Sequence, residues 1–246
     1  MLGSVKTLDN LNLAISIVMP CHNAARIIDG TLNEMISNMK ITEEIVLIEN
    51  GSTDETYSLL ELYLKKYPKS NIRIARSEKG LGNAIRMGIN LASGSYIVFM
   101  ADDLPFGLQE LTFARQRLQI DDTMWNIISK YHTRTGVISY ARVQGWAFIA
   151  LRELILNLKV RDSQATFFAE GSLTKKISQL SSEEGYLITT ELIAIARKLQ
   201  VEVNQIPCGP VYVSARKRTV NIIHAGRMFI GLFRVRSKMK ELKPNE

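Results

Sequence analysis

The chain alternates short apolar runs with stretches whose apolar residues recur every three or four positions. Ile15-Ser16-Ile17-Val18-Met19 is an apolar run closed by Pro20 and predicts a strand. Ile28, Leu32, Met35 and Met39 then repeat at helical spacing, and Glu44-Ile45-Val46-Leu47-Ile48 reads as a second strand. Ser52-Thr53-Asp54-Glu55 has the Ser-x-x-Glu pattern of a capping box, and Leu59, Leu60, Tyr63 and Leu64 continue the helix it would open. Ile72-Arg73-Ile74-Ala75 predicts a third strand. Ala84, Ile85, Gly88, Ile89 and Ala92 predict a helix, and residues 96–100 a fourth strand. Strands alternating with amphipathic helices imply a parallel sheet with helices on its faces.

After Met100 the pattern changes. Residues 106–119 and 122–158 read as mostly helical, with Trp125, Ile127, Ile128, Trp146, Phe148 and Ile149 at apolar positions. Residues 165–169 and 201–206 read as strands, and 190–198 as a helix. No internal repeat or low-complexity linker divides the chain. The expectation is one α/β domain over residues 1–215, with a helical insertion, followed by a tail over 216–246.

Composition narrows the class. Of 246 residues, 46% are apolar and 22% charged, which excludes a disordered tail protein, a collagen-like fibre and a coiled coil. Cys21 and Cys208 form neither a disulfide framework nor a four-cysteine zinc site, and read as reduced thiols in a cytosolic setting. Residues 1–215 hold 22 Lys+Arg and 22 Asp+Glu, so the whole net charge of +7 comes from the tail, with nine basic and two acidic residues. Such a tail favours an anionic partner: phosphate, nucleic acid or an acidic membrane surface.

Residues 1–13 are too polar for a secretory signal. No run reaches the ~18 apolar residues that span a bilayer, since 143–158 is broken by Arg152 and Glu153. In the tail, His224, Arg227, Arg234 and Lys238 share one helical face, while Ile222, Ile223, Phe229, Ile230, Leu232 and Phe233 fill the rest. Two readings stand. The helix lies on an anionic membrane, or it packs its apolar side on the domain. The Trp125 and Trp146 region is a second membrane-facing candidate, with core packing as the alternative. No nucleic-acid-binding motif accompanies the basic residues.

Open parallel sheets bind ligands at the carboxyl ends of their strands. Just past each expected strand lie Pro20-Cys21-His22-Asn23, Glu49-Asn50-Gly51-Ser52-Thr53-Asp54, Lys79-Gly80-Leu81-Gly82-Asn83 and Ala101-Asp102-Asp103. The adjacent carboxylates Asp102 and Asp103 read as a hard-cation site that would neutralise a diphosphate, or as caps of the following helix. Lys79-Gly80-Leu81-Gly82 reads as a phosphate-binding glycine loop, without the spacing of the dinucleotide or P-loop fingerprints, or as a tight turn into a helix. His22 sits in the first loop within reach of a ligand. His132 and His224 fall on predicted helices and read as surface or interface residues.

Taken together and in this order, the four stretches resemble the family 2 glycosyltransferases of glycosyltransferase A fold. That family shows a V-x-P-x-x-N-E strand end, a D-D-G-S-x-D turn, a K-G-x-G-x-A segment and a D-x-D metal motif. Further on, Arg161-Asp162-Ser163-Gln164 resembles the R-D-[ST]-Q motif of dolichyl-phosphate glucosyltransferases. Glu191 matches an acidic residue on a later helix of those enzymes, and Val203-Asn204-Gln205-Ile206-Pro207 their E-I-P strand. The resemblance spans residues 13–220 and points to the polyprenyl-phosphate branch, near dolichyl-phosphate glucose and mannose synthases. Three positions depart from the pattern: Ala24 stands for a Glu, Glu49-Asn50 for Asp-Asp, and Ala101 for the first Asp of the metal motif.

The resemblance implies a Rossmann-like, mostly parallel sheet with helices on both faces. It implies an inverting transfer of a hexose from a nucleotide-diphosphate sugar, UDP-glucose before GDP-mannose, to dolichyl or polyprenyl phosphate at the cytoplasmic face of a membrane. Pro20, Asn23, Glu49, Asn50, Ser52, Lys79, Gly80, Gly82, Asp102 and Glu191 would hold the donor. Arg216, Lys217 and Arg218 would add positive charge at its diphosphate. Asp103, with Asp102, would hold Mg2+ or Mn2+. Arg161, Asp162 and Gln164, together with Asp103, would serve the transfer step near the sugar and the acceptor phosphate. Two other readings remain: a glycan acceptor, for which Asp162 would be the base, and a non-catalytic homologue that binds a nucleotide sugar or a lipid.

Overall fold

The computed structural model describes residues 14–68, 70–118, 124–130, 140–208 and 222–242. Three strands, β1 (Ile15–Cys21), β2 (Glu43–Glu49) and β4 (Tyr96–Phe99), are buried on both faces, which is why they read as nearly unbroken apolar runs. With β3 (Ile72–Arg76) they form the parallel half of a seven-stranded sheet in the order β3-β2-β1-β4-β6-β5-β7. Alternate side chains face opposite layers. Ile15, Ile17 and Met19 meet α1 (Ile28–Asn38), α2 (Thr56–Lys66) and α4 (Gln109–Leu118). Val18, Val46 and Ile48 meet α3 (Leu81–Leu91) and share a core with α6 (Gly171–Gln179) and α7 (Ile188–Lys198). This is the expected α/β sheet with helices on both faces.

The second half differs from the expectation. Residues 122–158 are not one helical insertion. Trp125–Lys130 is a strand, β5, and only Tyr140–Leu156 is a helix, α5. Trp125 stacks on Phe167 with ring centroids 4.6 Å apart, and its buried neighbour Asn126 accepts a hydrogen bond from Asn204 at 2.9 Å. A strand covered on both sides loses the period-two signal and is easily taken for helix. Trp125 is therefore core, whereas Trp146 on α5 is 56% exposed. The strand β6 (Phe167–Glu170) runs antiparallel to both β4 and β5, while β7 (Val203–Cys208) runs parallel to β5. The reversal of β6 matters for the site. Phe167 pairs with Phe99, so the segment before β6 emerges where β1, β2 and β4 end.

The tail forms the expected helix, α8 (Ile222–Glu241), and it packs on the domain through buried Leu232 and Val235 beside Leu187. The expected boundary at 215/216 lies outside the described residues, as do His132 and Arg216, Lys217 and Arg218. Cys21 and Cys208 are buried and form no disulfide. Among the described residues no helix is long and apolar enough to cross a membrane.

Candidate functional site

The ends of β1 and β2 are laced together. Pro20 lies beyond the last residue of β1 that pairs with β4, Val18, so its missing N–H breaks no ladder bond. Asn23 adopts φ +49°, a region that asparagine tolerates. Its N–H donates to Ser52 Oγ at 3.1 Å, and its Oδ1 accepts from Thr53 N at 2.8 Å. Asp54 accepts from Ala25 N at 3.1 Å and from Thr56 N at 3.0 Å. The capping box expected at Ser52 does not form, because Ser52 is engaged with Glu49 and Asn23 and the helix begins only at Thr56.

Glu49 is buried beneath this turn. It accepts from Ser52 N at 2.5 Å and pairs with Arg76 Nε at 3.0 Å. Burial pushes its carboxyl upward, but the Ser52 N–H and the Arg76 guanidinium outweigh that and hold it below the usual range. The Arg76 guanidinium also lies over the Tyr57 ring, 4.5 Å from its centroid. Asn50 joins three loops: its N–H donates to Cys21 O at 2.9 Å, its carbonyl meets His22 Nδ1 at 2.7 Å, and its Oδ1 accepts from Gly80 N at 2.7 Å. The exposed Lys79 packs its Cβ beside Gly51. Pro20, Asn23, Glu49, Asn50, Ser52, Lys79 and Gly80 are thus gathered at one end of the sheet.

The glycine loop has a further purpose that the sequence did not show. Gly82 N donates to Glu184 O at 2.8 Å, and a Cβ built on Gly82 would overlap the Glu183 carbonyl oxygen. A Cβ on Gly80, at φ +140°, would also overlap a carbonyl oxygen, that of Glu184, though less severely. These glycines let residues 183–184 approach the start of α3. Arg86 reinforces the contact by donating to Glu183 O. Glu191 lies on α7, the later helix on which it was expected. Its buried carboxylate accepts from Ser182 N at 2.9 Å and Glu183 N at 2.8 Å, and pairs with Lys238 Nζ at 3.4 Å. It holds the 182–184 turn.

At the end of β4, Asp102 is buried and its carbonyl accepts from Thr31 Oγ1 at 2.7 Å, while Asp103 is partly exposed. A carboxylate that belongs to none of these motifs stands nearby. Glu110 on α4 is 1% exposed, its Oε1 accepts from Thr166 Oγ1 at 3.2 Å, and its Oε2 has no hydrogen-bond partner. Burial, with a smaller push from the Asp103 charge, raises its pKa to about 7. The signal in the sequence was an acid at the edge of the apolar stripe of α4. Among the described residues no three His, Cys, Asp or Glu side chains form a metal cage of their own. A Mg2+-type ion does not need one, since it takes one or two carboxylates and completes its shell with phosphate oxygens and water. Asp103, partly exposed at the strand end, fits that pattern.

Glu110 gives a pH signature. A carboxyl whose folded pKa exceeds its unfolded value stabilises the fold at low pH and loses that contribution as pH rises through the folded value. Between pH 5 and pH 8, wild type should therefore lose up to about 3 kcal/mol relative to Glu110→Gln. Urea unfolding at the two pH values checks this; parallel pH dependence in both proteins would refute it.

The segment before β6 completes the cluster. Asp162 is partly exposed and its Oδ1 accepts from Gln164 N at 3.0 Å, a local Asx-type turn. Arg161 N donates to Gln205 Oε1 on β7 at 2.7 Å, and the exposed Gln164 side chain donates to Tyr186 O at 3.4 Å. Buried Ser163 is anchored to α7, its carbonyl accepting from Thr189 Oγ1 at 2.8 Å and Thr190 Oγ1 at 3.2 Å. Arg152, 1% exposed on α5, donates to Val160 O. Burial lowers the pKa of this guanidinium, and the nearby Asp162 carboxylate opposes that shift.

Comparison with known proteins agrees with this geometry. Residues 16–158 match the family described as glycosyl transferase family 2. A dolichyl-phosphate beta-glucosyltransferase of Drosophila melanogaster is 23% identical over 80% of this chain and 67% of its own length. One from Dictyostelium discoideum is 29% identical over 37% of this chain and 31% of its own, so the chain spans only about a third of that relative. Glucosyl-3-phosphoglycerate synthase from Mycobacterium tuberculosis, solved with Mn2+, UDP and glucosyl-3-phosphoglycerate, superposes with a TM-score of 0.66 at 17% identity, over 96% of this chain and 86% of that one. S. aureus TarS in complex with UDP-GlcNAc gives 0.59 at 18% identity, over 94% of this chain and 68% of that one. These two likenesses establish the glycosyltransferase A fold.

Proposed function

This chain belongs to glycosyltransferase family 2, and on that premise we propose that it moves a hexose from a nucleotide-diphosphate sugar to a polyprenyl phosphate such as dolichyl phosphate. The observation that carries this is the reversal of β6. It sets Asp162 and Gln164 at the same sheet end as the Glu49–Asp54 turn, Lys79 and Asp103. UDP-glucose is the favoured donor, with GDP-mannose next. The names of the Drosophila and Dictyostelium relatives support glucose and dolichyl phosphate, and the UDP-bound structural neighbours support UDP.

The chemistry follows from the groups present. An oxygen of the acceptor phosphate attacks the anomeric carbon. A carbon–oxygen bond forms there as the bond to the nucleotide diphosphate breaks on the opposite face, so the anomeric centre inverts. A phosphate monoester is already largely ionised at pH 7, so no strong base is required. Lys79 offers positive charge to the diphosphate. A Mg2+ or Mn2+ held by Asp103, with Asp102, would supply Lewis-acid stabilisation of the departing diphosphate. Asp162, held in its turn and backed by buried Arg152, orients the sugar and acceptor.

Membrane contact completes the reading. Trp146 (56% exposed) and Leu154 (80%) on α5, and Phe229, Ile230 and Phe233 on α8, are large apolar residues left in the open. Helices that leave aromatic and aliphatic residues outward beside basic ones suit the headgroup region of an anionic leaflet, the place where a lipid phosphate would be met. The cytoplasmic face is the proposed location.

The test is direct. Purified protein, dolichyl phosphate in detergent, Mg2+ or Mn2+ and a panel of labelled UDP- and GDP-sugars should give label in the extracted lipid, lost on adding EDTA. No label from any donor, with folded protein, would overturn the lipid-acceptor reading. Calorimetry would then separate a glycan-directed transferase, which binds donor and turns over with sugar acceptors, from a binding-only protein.

A further inference from the structure

Three observations join the C-terminal helix to the donor turn. Lys238 on α8 places its Nζ 2.7 Å from Ser182 Oγ and 3.4 Å from Glu191 Oε1. Glu191 in turn collects the N–H groups of Ser182 and Glu183. The next carbonyls, of Glu183 and Glu184, receive Arg86 and the Gly82 N–H, and Gly80 N donates to Asn50 Oδ1 at 2.7 Å. Every link is a hydrogen bond or ion pair. The path runs from a helix that exposes Phe229, Ile230 and Phe233 to the loop beside the Glu49–Asp54 turn.

We propose that Lys238 and Glu191 are positioning residues for the donor site, a latch through which the seating of α8 sets the glycine loop. This rests on the glycosyltransferase reading for the meaning of the loop, but not for the existence of the latch. Glu191 is almost fully buried, so its carboxylate takes its hydrogen bonds from these partners. Removing Lys238 leaves that carboxylate with only the turn's own donors, an arrangement that penalises a buried ion. The 182–184 turn then loosens and the Gly82 N–H loses its acceptor. Asn50 keeps its place in the β1–β2 lacing but loses the fixed partner in the glycine loop. The donor would still reach the site; it would meet a loop no longer held in the binding arrangement. The sugar-directed segment 161–164 is anchored through Ser163 to Thr189 and Thr190, with the Gln164 side chain on the Tyr186 carbonyl, and none of these bonds involves Lys238 or residues 182–184, so the acceptor side is spared.

The experiment compares full-length wild type, Lys238→Met, Lys238→Arg and Glu191→Gln. Hydrogen exchange, without any ligand, reads the amides at 80–84 and 182–184. Steady-state kinetics read the donor and acceptor KM and kcat. Lys238→Met should accelerate exchange at those two segments selectively and raise the donor KM by about tenfold. The acceptor KM and kcat should stay near wild type, and Lys238→Arg should restore both readouts. Glu191→Gln should open the same two segments. Wild-type exchange at Gly82 in Lys238→Met would overturn the latch. So would faster exchange spread over the whole chain, or equal rises in donor and acceptor KM, since both describe general loosening. Should wild type bind no nucleotide sugar, the functional reading fails while the exchange result still decides whether α8 holds the loop.

Discussion

Asp162→Asn loses sugar transfer by on the order of a thousandfold or more while the protein stays folded. Asparagine keeps the Oδ1 that accepts from Gln164 N, so the local turn survives. What disappears is the negative charge, at a partly exposed position facing the sheet end where the donor turn and Asp103 converge. The change has a structural side. Arg152 is fully buried and loses its nearby carboxylate. That lowers stability without unfolding the domain, because Asp162 is partly exposed and the Arg152 bond to Val160 O remains. Labelled transfer, read beside circular dichroism and a thermal melt, separates the two effects. Wild-type turnover in a folded variant would sink the role given to Asp162. Loss of the melt together with turnover would assign the residue to structure.

Gly82→Ala is expected to be among the most damaging single-methyl changes in the chain. The added carbon would overlap a backbone carbonyl, that of Glu183, and backbone cannot step aside as a flexible side-chain end does. To make room, residues 183–184 must retreat, which breaks the Gly82–Glu184 bond and strains the Glu191 cap. Overpacking combined with lost buried hydrogen bonds points to about 3–5 kcal/mol of destabilisation and loss of donor binding. Gly30→Ala on α1 is the natural comparison. Nothing lies within 4 Å of its added carbon, so it should be neutral or slightly stabilising. Urea unfolding of the two variants makes the contrast, and equal stability would mean that the 183–184 contact is not tight in solution.

The half of the fold that could be read from the sequence is the half where one physical signal decides. Buried parallel strands β1, β2 and β4 are apolar on both faces, and the polar residues after them mark where the backbone leaves the core. Pro20, Asn23, the Glu49–Asp54 turn, Lys79 and Asp103 were legible for that reason. β5 was not, because Trp125, Ile127 and Ile128 satisfy a helical stripe and a two-faced strand alike. Gly82 and Glu191 were legible as positions but not as roles. Their partners lie in residues 182–184 and on α8, and only folding brings that backbone against the glycine loop. Glu110 carried no motif at all. Its orphaned oxygen is a consequence of where Thr166 and Asp103 come to rest. Ser52 shows the reverse case, a local pattern overruled because Glu49 and Asn23 reach it first.

The sheet order also says something about how the chain assembles. β3, β2, β1 and β4 occupy one contiguous stretch of sequence and one contiguous side of the sheet. They can pair as soon as residues 15–99 leave the ribosome. β4 then presents a bare, apolar edge, and its neighbour is not β5, the next strand made, but β6, which arrives about seventy residues later. During that interval the nascent protein carries an unpaired strand of the kind that recruits other chains. Synthesis of this segment is therefore the moment at which the protein most needs a chaperone, and slowing translation between β4 and β6 would lengthen its exposure.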